Sequence, residues 1–86
     1  AVAPALYRTA IGEQLTIALP DGSSVTLNTA SRLRLAYSAR ERRLILEQGQ
    51  ALFRVAKGEG RPFVVQALDR IVTAHGTTFD VRIAEG

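Results

Sequence analysis

Cysteine, methionine and tryptophan are all absent from this sequence of 86 residues, and histidine occurs once. Without cysteine the chain forms no disulfide and offers no thiolate to a metal. That absence leaves the compartment open, although it suits a periplasmic domain that must avoid stray oxidation. Long apolar runs are missing as well: none approaches the ~20 residues that carry a helix across a bilayer. The opening residues Ala1-Val2-Ala3-Pro4-Ala5-Leu6 lack the basic start and apolar middle of a secretion signal. No segment keeps a 3.6-residue apolar period, and no glycine-rich phosphate loop precedes a helix.

Catalysis has little to work with. His75 stands before Gly76 in a break between apolar stretches, so a nucleophile–base pair would have to borrow Thr77, Thr78 or the Ser23-Ser24 pair by default. It reads as a loop histidine. The carboxylates, Asp21 among them, fall nearly all at turns or on outward positions, as solvated charges do, and not as a glycosidase pair or a metal set. An enzyme is therefore the weakest class, and no catalytic, metal or cofactor residue is assigned.

The charge balance is mildly basic, with a formal net charge of +3. All basic residues but Lys57 are arginine, and they are spread along the chain from Arg8 to Arg82. Nucleic-acid binders gather such residues on one face, so no nucleic-acid partner is expected. The densest run, Arg40-Glu41-Arg42-Arg43, reads as a solvated turn between strands.

What is present is alternation. In Leu15-Thr16-Ile17-Ala18-Leu19-Pro20-Asp21-Gly22-Ser23-Ser24-Val25-Thr26-Leu27-Asn28, apolar residues alternate on both sides of Asp-Gly, a strong hairpin signal. The pair predicts a type I′ turn with positive φ at both Asp21 and Gly22. Leu15, Ile17, Leu19, Val25 and Leu27 then share one face. Further strands are expected at Tyr7–Ile11, Arg32–Ser38, Leu44–Glu47, Gln50–Ala56, Phe63–Leu68, Ile71–Ala74 and Thr78–Ile83. Gly49, Lys57-Gly58-Glu59-Gly60 and His75-Gly76 punctuate them, and Pro62 opens a strand at a first or edge position.

Short strands at regular spacing predict an all-β fold, an antiparallel β-sandwich, with a short β-solenoid-like stack of hairpins as the alternative. Residues 1–6 read as a leader or linker and residues 7–86 as one domain, a portion of a longer protein. Phe53, Phe63 and Phe79 are the expected centre of the core. Edge strands of such a domain can pair with a partner, and arginine and tyrosine are favoured in interfaces. Arg32, Arg34, Tyr37 and Arg54 are the candidate partner-binding residues.

Four blocks now stand in order. They are Leu19-Pro20-Asp21-Gly22-Ser23 with Val25-Thr26-Leu27-Asn28, then Arg43-Leu44 through Gly49-Gln50-Ala51-Leu52-Phe53-Arg54-Val55, then Arg61-Pro62-Phe63-Val64-Val65, then Gly76-Thr77-Thr78-Phe79-Asp80-Val81. Together with Tyr7-Arg8-Thr9 and Gly12-Glu13 they resemble the FecR family of periplasmic regulatory domains, from about Tyr7 to Ile83. Gln50 departs from the glutamate the family often carries there. The blocks are fold-defining residues, and none is a catalytic signature.

The resemblance implies a jelly-roll-like sandwich within a regulator of an extracytoplasmic-function sigma factor. It implies the periplasmic portion of a bacterial inner-membrane protein, whose membrane anchor and sigma-binding segment lie outside these residues. The partner implied by the iron-uptake branch of the family is the signalling domain of a TonB-dependent outer-membrane transducer, with signal passed by protein–protein contact. The rival class is a carbohydrate- or cell-wall-binding sandwich. Such a site wants exposed aromatics, and the chain has no tryptophan and only Tyr7 and Tyr37 beyond its inward phenylalanines.

Overall fold

A computed structural model describes residues 5–57 and 60–83. Nine strands form among them: β1 (Ala5–Arg8), β2 (Leu15–Ala18), β3 (Ser24–Leu27), β4 (Arg32–Tyr37), β5 (Arg42–Gln48), β6 (Gln50–Arg54), β7 (Phe63–Ala67), β8 (Arg70–Ala74) and β9 (Thr78–Arg82). They make two sheets. Sheet A has the order β1-β4-β5-β7-β8, and sheet B the order β2-β3-β6-β9. The two inner faces supply one core, from Ile17, Val25, Leu27, Ala51 and Phe53 in sheet B to Leu33, Leu44, Leu46, Phe63 and Val65 in sheet A. This is a β-sandwich, and the expected fold class holds.

The period-two pattern explains the packing directly. Val25 and Leu27 on β3, Leu44 and Leu46 on β5, and Phe53 on β6 are fully buried, while Leu52 and Arg54 between them point outward. Phe53 sits at the centre, edge-on to Phe63 at 6.2 Å and stacked on Phe79 at 5.3 Å. Such ring pairs add about 0.5–1.5 kcal/mol beyond their buried area.

Several local expectations are corrected. The sheets are not wholly antiparallel, because β5 and β7 pair in parallel. After β5 the chain crosses to sheet B, runs back along β6 and returns to sheet A as β7. The crossover that a parallel pair requires is thus a strand of the facing sheet. β7 is consequently an interior strand between β5 and β8, and Pro62 lies just before it with its carbonyl accepting the Arg42 N–H at 2.8 Å.

At the other end of the chain, β1 covers Ala5–Arg8 and not Tyr7–Ile11, and Ile11 is 89% exposed in the following turn. The β2–β3 turn also differs from the expected type I′. Gly22 has φ +88° but Asp21 does not share the positive region. Gly22 N–H donates to the Leu19 carbonyl at 3.1 Å and Leu19 N–H to the Ser23 carbonyl at 2.8 Å. This is a type I turn with Pro20 at its first central position, closed by a left-handed glycine bulge. Proline fixes φ near −65°, which starts the turn one residue earlier than Asp-Gly alone suggests.

Gly49 alone separates β5 from β6, at the point where the chain changes sheets. Its φ is +85°, and a Cβ there would lie 2.3 Å from Ser31 Oγ and 2.7 Å from Ser31 Cα. The Ser31 hydroxyl accepts the Gln50 N–H at 3.0 Å, so the glycine is required both by backbone conformation and by that approach.

Candidate functional site

One end of the sandwich is locked by charge. Arg42 Nη1 donates to Asp21 Oδ2 at 2.6 Å, and the two side chains are 4% and 0% exposed. Asp21 also accepts from the Ser23 hydroxyl at 2.7 Å and the Tyr37 hydroxyl at 3.1 Å. Arg42 Nε donates to the Arg61 carbonyl at 3.0 Å, Nη1 reaches the Ala56 carbonyl at 3.3 Å, and the guanidinium lies 5.4 Å from the Phe63 ring centre. The Ser23 hydroxyl in turn accepts the Ala56 N–H at 2.8 Å. The cluster therefore ties the β2–β3 turn of sheet B to the start of β5 in sheet A. Burial alone would push the Asp21 carboxyl up, but the hydrogen bonds from Ser23, Arg42 and Tyr37 outweigh it and hold the carboxyl below its ordinary range.

Both partners overturn an expectation. Arg42 is no part of a solvated turn: β5 begins there, two residues ahead of Leu44, and Arg42 continues the inward series of Leu44 and Leu46. Asp21 is likewise no solvated turn charge. The missed signal was the alternation itself, which, run backwards from Leu46, places Arg42 on the buried face and so demands a buried carboxylate.

Beside this lock lies a hollow of about 170 Å³ lined by Arg42, Ala56, Lys57, Gly60, Arg61, His75 and Gly76. Arg61 Nη1 donates to the Ser38 carbonyl at 2.6 Å and its guanidinium lies 5.8 Å from the Tyr37 ring centre. Among the described residues its lining is basic and includes no serine or threonine to pair with His75 as a nucleophile. Among the described residues no group of three or more His, Asp or Glu could hold a metal ion. A second hollow, on the outer face of sheet B, is lined by Gln14, Thr26, Asn28, Gln50, Leu52 and Asp80. Its amides are tied together, Asn28 to Gln50 at 3.3 Å and Gln50 to Asp80 at 2.6 Å, and among the described residues no aromatic ring lines it.

The four candidate partner residues separate into three places. Arg32 and Arg34 lie together, exposed, on the outer face of β4. Tyr37, on the same strand, turns inward and donates to Asp21. Arg54 is exposed on β6, on the outer face of the opposite sheet. Arg34 pairs with Glu47 at 3.3 Å, an exposed contact of small energetic weight.

A residue outside the expected set joins Arg32 and Arg34. Arg8 on β1 stands directly opposite Arg32 in the antiparallel register, and Leu6 stands opposite Arg34. Like charges directly opposite are destabilising. Next to them Arg8, Thr9, Ala10, Ile11, Ala30, Ser31, Arg32 and Gln48 line a hollow of about 240 Å³, with Ile11 at its rim. Hydrogen bonds fix this corner: Thr9 N–H to the Ser31 carbonyl and Ser31 N–H to the Thr9 hydroxyl, both 2.9 Å. No local signal in the sequence reveals it, because β1 pairs with β4 across the intervening hairpin.

These features define a two-sheet β-sandwich whose chemistry lies in an internal charge lock and an outward basic corner. The chain belongs to the FecR family, described as FecR protein, whose pattern matches residues 5–86. It is similar to two crystal structures assigned as an anti-sigma factor from Parabacteroides distasonis. One superposes with a TM-score of 0.86 at 30% identity, covering 93% of this chain and 38% of that one. The other superposes with a TM-score of 0.83 at 31% identity, covering 91% of this chain and 37% of that one. The chain thus spans less than two-fifths of the length of these neighbours. A comparison with curated proteins returns no match.

Proposed function

We propose that this domain is the periplasmic signalling portion of a FecR-like, membrane-anchored regulator of an extracytoplasmic-function sigma factor. Membership of the FecR family carries the proposal, and the likeness to proteins assigned as anti-sigma factors supports it. In this reading the domain performs no reaction and works by contact. Its partner is the signalling domain of a TonB-dependent outer-membrane transducer, in an iron- or siderophore-uptake setting. Sigma factor binding belongs to other segments of the longer protein.

The contact surface in this reading is the β1–β4 corner of sheet A. Arg8 and Arg32 stand opposite each other, with no ion pair to either among the described residues, and Arg34 and the exposed Ile11 flank them. Such a corner suits a partner carrying carboxylates around an apolar residue, since complementary charge steers association and fixes register. The test is capture of a purified transducer signalling domain by this chain and by longer periplasmic fragments of the same protein. Binding that weakens with salt supports the reading, and absence of binding by even the longest fragment contradicts it.

A further inference from the structure

Among the described residues, strand β8 is the edge of sheet A opposite to β1, with β7 as its one strand neighbour. Of its five residues only the first, Arg70, is charged; Ile71-Val72-Thr73-Ala74 carry no charge, and the strand is exposed on both faces: Ile71 is 60% and Val72 39% exposed, with Leu68 of the preceding turn at 66%. Natural sheets blunt an edge with charge, proline, a bulge or brevity. Two other edges do so: β1 is only four residues long and ends on Arg8, and β9 carries Asp80 at its centre and Arg82 at its end. The remaining edge, β2, is four residues long, turns Ile17 into the core, and ends within two residues of Pro20. β8 has none of these devices along its centre.

The sequence around β8 is complementary to itself. An antiparallel pairing of two β8 strands centred on Val72 places Val72 opposite Val72 and Ile71 opposite Thr73. Arg70 then meets Ala74, and Asp69 of each copy meets His75 of the other. No like charges stand opposite in this register. An imidazole N–H donates to a carboxylate in either protonation state, and His75 borders the basic rim that also holds Lys57 and Arg61. Shifting the register by two residues either way loses both Asp69–His75 contacts.

We infer that β8 is a homotypic docking edge: two copies of this chain join sheet A to sheet A through antiparallel β8 pairs about Val72. The interface is isologous and closes as a two-fold dimer. It leaves the β1–β4 corner of each copy open, at the far side of the sheet. It is also independent of the proposed partner, so either can fail alone.

Sedimentation of the 86-residue chain across a concentration series, with isotope-filtered NMR on a mixed labelled sample, tests this. The expected result is a monomer–dimer equilibrium with intermolecular contacts between Val72 of the two copies. Val72→Lys should weaken it about tenfold or more, since lysine blocks an edge, and circular dichroism should show the fold retained. Asp69→Lys should also weaken it, and adding His75→Asp should restore it. A chain that stays monomeric throughout overturns the inference. So does a dimer indifferent to Val72→Lys, or an edge that accepts only a strand from a different protein.

Discussion

Oδ2 of Asp21, in the turn of the first hairpin, lies 2.6 Å from Nη1 of Arg42, at the first residue of β5 in the facing sheet. A buried pair of this kind is weak evidence for net stability, because desolvation offsets much of the attraction. Removing one partner is another matter. Asp21→Ala or Arg42→Ala leaves the other charge buried and unpaired and should cost about 3–5 kcal/mol in denaturant unfolding. The double variant Asp21→Asn with Arg42→Met should recover a large part of that loss.

The same carboxylate sets an acid limit. Asp21 is held below its ordinary value of 3.8. The folded chain therefore binds its proton less tightly than the unfolded chain. That contribution to stability is present above the unfolded value and is lost as pH falls through the folded one. Urea midpoints should drop below about pH 5, and the drop should be shallower in Asp21→Asn.

Much of this fold was legible because one residue type repeats at one interval. Nearly every strand was placed from period-two alternation, and Phe53 and Phe63 were placed inward by it. What alternation cannot convey is pairing between distant segments. The parallel β5–β7 pair, the meeting of Arg8 with Arg32, and the hydrogen bond from Tyr37 to Asp21 all depend on which sheet each strand joins. Arg42 is a different case: its burial followed from the pattern of Leu44 and Leu46 and was obscured by three charged neighbours.

Gly49 should resist substitution more than any surface glycine. Gly49→Ala combines a positive φ with a Cβ 2.3 Å from Ser31 Oγ. Backbone strain of that type costs about 1–3 kcal/mol before the clash is counted. Thermal unfolding of Gly49→Ala beside Gly60→Ala, where a Cβ would meet open space, separates the clash from the strain.

Phe53 touches both other phenylalanine rings. Phe53→Ala should cost about 3–5 kcal/mol, enough to threaten a domain of this size. Phe79→Ala, at a partly buried position on the same stack, should cost less. Chemical denaturation of the two variants checks the order.

The central claim is that the domain passes a signal by contact through its basic corner. The most direct measurement uses the full-length regulator carrying Arg8→Glu, Arg32→Glu and Arg34→Glu in cells with a sigma-dependent reporter. The three side chains are exposed, so the fold should survive, which circular dichroism of the isolated domain verifies. The account predicts normal levels of regulator and a reporter that no longer follows the transducer's ligand. A reporter that responds as it does with the unaltered protein would contradict it.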